Sequence, residues 1–180
     1  LQTADGLTIR GWFIFADQPS ERTVLMVHGI GNNRTNALSF HEDGDALGAN
    51  LMLIDLRGHG DSDGHTISLG HREKLDVLAA VDYLRCERKQ QARVLIGMGI
   101  SMGSSPLLSA AAELEPPFDG IIVDSGFASV IDLTDGVLFA VPKAMRPCLT
   151  APGLPLACWE TGCPLAEIEP ARRVAAVRAP

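Results

Sequence analysis

The sequence predicts an α/β fold built on a mostly parallel sheet. Three observations carry this. Short apolar runs recur along the chain and stop at glycine or a polar residue, as strands buried on both faces do. Helical patterns or long connections separate the runs, which is the rhythm of βα units rather than of hairpins. His28, Asp55, Ser101 and Asp124 each close one run, and open parallel sheets bind ligands at the carboxyl ends of their strands.

Residues 7–15 (LTIRGWFIF) have strand composition, and residues 23–29 (TVLMVHG) form a β-branched apolar run stopped by glycine. Residues 36–48 (NALSFHEDGDALG) read as a helix that ends at its glycine. The next strand is 51–58 (LMLIDLRG). Over 71–89 a helix is predicted, because Val77, Leu78, Val81 and Leu84 share one face and basic residues crowd the C-terminal end. Residues 92–99 (ARVLIGMG) form another apolar strand. Residues 102–114 read as a helix whose Pro106 falls in the first turns, where proline costs least. A further strand follows at 118–126. Residues 137–164 hold many prolines, three cysteines and Trp159, and read as an irregular insert. Residues 165–177 read as helical with an interruption at Pro170.

Composition narrows the function classes. With 180 residues, 46% hydrophobic and 21% charged, the chain suits one ordinary soluble domain with a sizeable core. A net charge of −7 and a pI near 5.1 argue against a nucleic-acid or anionic-membrane surface. No run is long and apolar enough to span a bilayer, and the opening residues lack the make-up of a signal peptide. The first residue is leucine, so the chain is expected to be an excerpt. Cys86, Cys148, Cys158 and Cys163 lack CxxC spacing and have no following histidines to complete a zinc site. They read as reduced thiols of a cytoplasmic protein. A bridge within the cluster from Cys148 to Cys163 is the alternative, and it would need a secreted context.

The chemistry centres on Gly99-Ile100-Ser101-Met102-Gly103, a G-x-S-x-G sequence between an apolar strand and a helix. Gly99 and Gly103 are small because backbones must pass close to a nucleophile held on a strained turn. The N-terminus of the following helix favours negative charge at that point. Taken alone, the motif would also fit a glycine-rich turn with a solvated serine. A dinucleotide loop fails, since G-x-G-x-x-G meets Met102 from Gly97 and Arg34 from Gly29, and no P-loop lysine is present.

"HGIGNNR" from His28, "DLRGHGDSDG" from Asp55 and "GISMG" from Gly99 occur in an order that resembles the α/β-hydrolase superfamily. "SLGHREKLDVLAAVDYL" and "VDSGFAS" are similar to stretches of bacterial serine aminopeptidase-like and Bem46-like hydrolases. The resemblance implies the α/β-hydrolase fold, a mostly parallel sheet flanked by helices, with the C-terminal strands missing. It implies Ser101 as nucleophile, the backbone N–H groups of Ile30 and Met102 as oxyanion donors, and His28 as a structural residue. It implies a floor-shaping loop at Arg57-Gly58-His59-Gly60. His59 as base conflicts with the family order of Ser, then acid, then His. His41, His65 and His71 read as exposed helix or loop residues that form no metal set.

All five histidines precede Ser101. In the resembling families the acid and the histidine follow further strands, so both are expected beyond Pro180. Asp124 is the other acid candidate, and a structural role is favoured for it. The expectation is thus one incomplete domain over 1–180 with a cap insert at 137–164. Its function would be hydrolysis of an ester, thioester or amide through an acyl-enzyme, with no metal or organic cofactor. The alternative is a non-catalytic binding protein, or an inactive fragment, on the same fold. Expected partners are a small-molecule or acyl substrate and no nucleic acid. Leu, Pro, Phe139 and Trp159 of the insert suggest an apolar acyl pocket or a plain core. Self-association through an exposed sheet edge is also expected.

Overall fold

The computed structural model describes residues 1–138, 140–165 and 168–179, with residues 41–43 described by their backbone alone. Strands β1 (Gly11–Ile14), β2 (Arg22–Val27), β3 (Asn50–Ile54), β4 (Val94–Ile100) and β5 (Gly120–Asp124) form one sheet in the order β1-β3-β2-β4-β5. β1 runs antiparallel to β3, and the other neighbours are parallel. The register sets Val27 opposite both Ile54 and Gly99, and Ile100 opposite Asp124. His28, Asp55, Ser101 and Asp124 therefore share one end of the sheet, as their strand-closing positions predict.

β2 shows why the strands read as continuous apolar runs. Its Leu25 and Val27 enter one buried cluster with Val77, Val81 and Leu84 of α2 (Lys74–Glu87) and Leu107 of α3 (Ser104–Ala111). Its Val24 and Met26 enter a second cluster on the opposite face with Ala37, Leu51 and Leu53. Both faces are covered, so alternation is lost. A third cluster of Val130, Cys163, Leu165 and Ile168 ties α4 (Val130–Val137) to the end of α5 (Arg146–Thr161).

Several element boundaries differ from expectation. The first predicted strand contracts to β1, because its earlier part is held by loop contacts such as Thr8 N–H to the Asp63 carboxylate at 2.8 Å. The helix expected at 36–48 is a 3₁₀ turn (Asn36–Phe40) followed by a single short helix, α1 (His41–Ala46). Helix α2 starts at Lys74 rather than residue 71, because the Glu73 carboxylate holds the preceding loop through Ser68 and Gly70. The described part of 137–164 is mostly helical rather than irregular: α5 (Arg146–Thr161) fills most of it, with Pro152 and Pro155 inside. Leu154, Ala157 and Cys158 pack that helix on the third cluster, and tertiary packing outweighs the lost N–H donors. Pro170 does not interrupt a helix but opens α6 (Pro170–Val174), where its missing N–H costs nothing. Phe139 lies outside the described residues.

Candidate active site

β4 ends at Ile100, and Ser101 follows with φ +51°, the left-handed region that serine seldom occupies. A 3₁₀ turn (Ser101–Gly103) then leads into α3. The two motif glycines are imposed by close packing. A Cβ on Gly103 would lie 2.2 Å from the Val27 carbonyl oxygen, and one on Gly99 would lie 2.7 Å from Ser104 Cα. Ser104 Oγ donates to the Gly99 carbonyl at 2.9 Å and latches the turn from inside. Ser101 itself is half-buried.

The loop after β2 runs beside the serine. A Cβ on Gly29 would lie 3.2 Å from Ser101 Cβ and 3.7 Å from its Oγ. Ile30, the next residue, is exposed. The loop is held from below by Asp55, which is fully buried at the end of β3. Arg34 N–H donates to Asp55 Oδ1 at 2.6 Å, and the Arg34 guanidinium pairs with both Asp55 and Asp61. Asp61 N–H donates to Asp55 Oδ2 at 3.0 Å. Gly60, at φ +53°, leaves the space the carboxylate needs, because a Cβ there would sit 2.1 Å from Asp55 Oδ2. The Arg34 guanidinium also stacks 4.6 Å over the Trp12 ring.

His28 is a structural residue by its hydrogen bonds. Leu56 N–H donates to its Nε2 at 3.1 Å, so Nε2 must be unprotonated and Nδ1 carries the proton toward the Gly29 carbonyl at 2.7 Å. Burial holds its pKa below the usual 6.5. The His59 ring packs edge-on against it at 5.0 Å. His59 Nδ1 lies 3.0 Å from the Arg57 carbonyl, while its Nε2 is buried without a hydrogen-bond partner. His65 and His71 are exposed, and the His41 side chain lies outside the described residues. Asp124 is exposed and accepts a hydrogen bond from its neighbour Ser125 Oγ at 2.8 Å.

Sequence reasoning missed two polar supports. Arg57 gives three N–H groups to the buried Asp76 of α2 and two to Asp5, fixing the floor loop to the N-terminal arm. Glu73, fully buried, accepts from Ser68 N–H, Ser68 Oγ and Gly70 N–H. That holds Gly70 against α3, where a Cβ would meet Ser105 Oγ at 2.1 Å. The charged residues inside "DLRGHGD" and "SLGHRE" were the available signal. Among the described residues no group of three or more His, Cys, Asp or Glu could hold a metal ion.

Known proteins resemble the chain in family and in fold. The family described as serine aminopeptidase, S33 (Hydrolase_4) matches residues 18–153. The uncharacterized protein YqkD of Bacillus subtilis is 35% identical over 130 residues, which are 71% of this chain and 42% of that protein. The Pyrococcus furiosus esterase Pf2001 superposes with a TM-score of 0.75 at 22% identity, over 99% of this chain and 66% of that one. The alpha/beta hydrolase GrgF of Penicillium sp. gives a TM-score of 0.63 at 19% identity, over 99% of this chain and 71% of its own. The two structures establish the α/β-hydrolase fold. The chain spans less than half of YqkD and just under two thirds of the esterase.

Proposed function

Because the chain belongs to the serine aminopeptidase S33 family, we propose that it carries the nucleophile of a serine hydrolase. Ser101 would attack the carbonyl of an ester, thioester or amide. The observation that carries this reading is the left-handed backbone of Ser101 at the joint of β4 and the helical turn. Such a conformation costs on the order of 1–3 kcal/mol and persists where function needs it. At a strand-to-helix joint it lifts Oγ clear of the sheet toward a bound carbonyl.

The proposed steps follow from the charges that develop. Attack by Oγ puts negative charge on the carbonyl oxygen, and the N–H groups of Ile30 and Met102 donate to it. The Asp55–Arg34 pair holds the Ile30 loop in place for that task. The Oγ proton must pass to a base. Both nitrogens of His28 are engaged, and His59 is buried against it. We therefore assign the base and its orienting acid to residues outside 1–180, a reading supported by the greater length of the relatives. Water then hydrolyses the acyl-enzyme, and the scheme calls for no metal or organic cofactor. The 180-residue chain alone is expected to be nearly inactive, left with at most ~10³–10⁴ over water from oxyanion and binding effects.

The insert at 137–164 is proposed as a cap that presents apolar side chains to an acyl or small-molecule substrate. Met145, Leu149 and Leu156 of this segment are exposed. Trp159 is exposed as well, which counts against its lining a closed pocket. A cytoplasmic location accords with the four free thiols. The alternative is a binding protein without catalysis, favoured by the engagement of both His28 ring nitrogens and the burial of His59 Nε2. Hydrolysis of ester, thioester and amide panels by the full-length protein separates the two. Ser101→Ala is expected to lower kcat/KM by at least ~10³-fold. An unchanged rate would remove Ser101 from the chemistry.

A further inference from the structure

The end of α5 brings two cysteines into one turn. Helix α5 stops at Gly162, which is left-handed at φ +62°. Gly162 N–H and Cys163 N–H both donate to the Cys158 carbonyl, the latter at 3.2 Å. This is the reverse turn that sets the residue after the cap beside the last helical turn and usually buries an apolar contact between them. Here the residues at those two positions are Cys158 and Cys163, and both belong to the third cluster. The 3.2 Å hydrogen bond and ordinary bond lengths limit their Cα–Cα separation to about 7.4 Å even if the path were straight. Bends at the oxygen and nitrogen shorten it into the disulfide range of roughly 4.4–6.8 Å.

The other cysteines stand apart. Cys148 lies in the first turn of α5, ten residues before Cys158, which a helix stretches to about 15 Å. It is exposed, as is Cys86 on α2. Cys158 is half-buried and Cys163 is 2% exposed, and both pack into the cluster with Val130, Leu165 and Ile168. The more accessible thiol and a sheltered one thus belong to the same turn and the same apolar cluster, with Cys163 Sγ donating to the Thr161 carbonyl at 3.3 Å.

We propose that Cys158 and Cys163 form a dithiol oxidation site for small disulfides such as oxidised glutathione. Cys158, as thiolate, attacks one sulfur of the small disulfide, breaking its S–S bond and releasing one thiol. Cys163, as thiolate, then attacks the Cys158 sulfur and releases the second thiol. Two protein thiols are oxidised, one small disulfide is reduced, and the two protons pass to the released thiolates. The bridge pins the C-terminus of α5 to the third cluster. This inference stands apart from the hydrolase reading, because it needs neither Ser101 nor a base.

The test incubates the full chain with oxidised glutathione, blocks remaining thiols with N-ethylmaleimide, and cleaves with a glutamate-specific protease. Glu160 lies between the two cysteines, so a bridge holds the two cleavage fragments together until reduction. The expected result is loss of two alkylation sites and a joined pair of fragments carrying Cys158 and Cys163. Cys158→Ser and Cys163→Ser should each abolish the joined pair, while Cys148→Ser should leave its yield unchanged. Glutathione retained on Cys158 with Cys163 still reduced, or a bridge that includes Cys148, would overturn the proposal.

Discussion

Asp55 and His28 together hold the loop beside Ser101, and each does so with atoms the sequence does not advertise. Asp55 closes an apolar strand, which made it legible as a site residue. Its partners, Arg34 at 21 positions' remove and Asp61 beyond a glycine turn, follow only from the packed strand ends. The resemblance, not spacing, marks His28 as structural, and its hydrogen bonds give the physical reason. Leu56 N–H can only donate, so the ring stays neutral with its proton on Nδ1. Burial depresses its pKa below 6.5, so the unfolded chain binds this proton more readily than the folded one. Stability is then fully present above about pH 6.5 and falls as pH drops below it. NMR of the imidazole nitrogens is expected to show the neutral Nδ1–H form persisting below pH 6.5. A ring that protonates at 6.5 or above would refute this.

The strands were legible because each is buried on both faces and reads as an apolar run. Helix α5 was not, because Pro147, Pro152 and Pro155 mark local breakers while the packing that overrides them is tertiary. The start of α2 was missed for a related reason: Glu73 spends its carboxylate on the loop before it rather than on a further helical turn. Within α5, Gly153 is a plain helical glycine with open space where its Cβ would go. Gly153→Ala is then expected to raise stability by about 0.5–1 kcal/mol, read as a higher urea midpoint with an unchanged slope. Destabilisation there would mean that the segment is the irregular insert its composition suggests.

At the scale of the molecule, β5 forms one edge of the sheet, and its Ile122 and Val123 are 48% and 44% exposed. Trp12 borders the other edge, and α5 leaves Leu149, Leu156 and Trp159 facing outward. Unpaired strand edges with apolar side chains associate. The 180-residue chain is therefore expected to dimerise or aggregate in light scattering, against which a monodisperse monomer would count. The fold class was legible at this scale, and so was the shared end of the sheet that gathers the site. A nucleophilic Ser101 reacts covalently with a fluorophosphonate in the folded full-length protein. One adduct is expected, on the peptide carrying Ser101, and it disappears in Ser101→Ala. No adduct on the folded protein, or an adduct that survives the substitution, would contradict a nucleophilic Ser101.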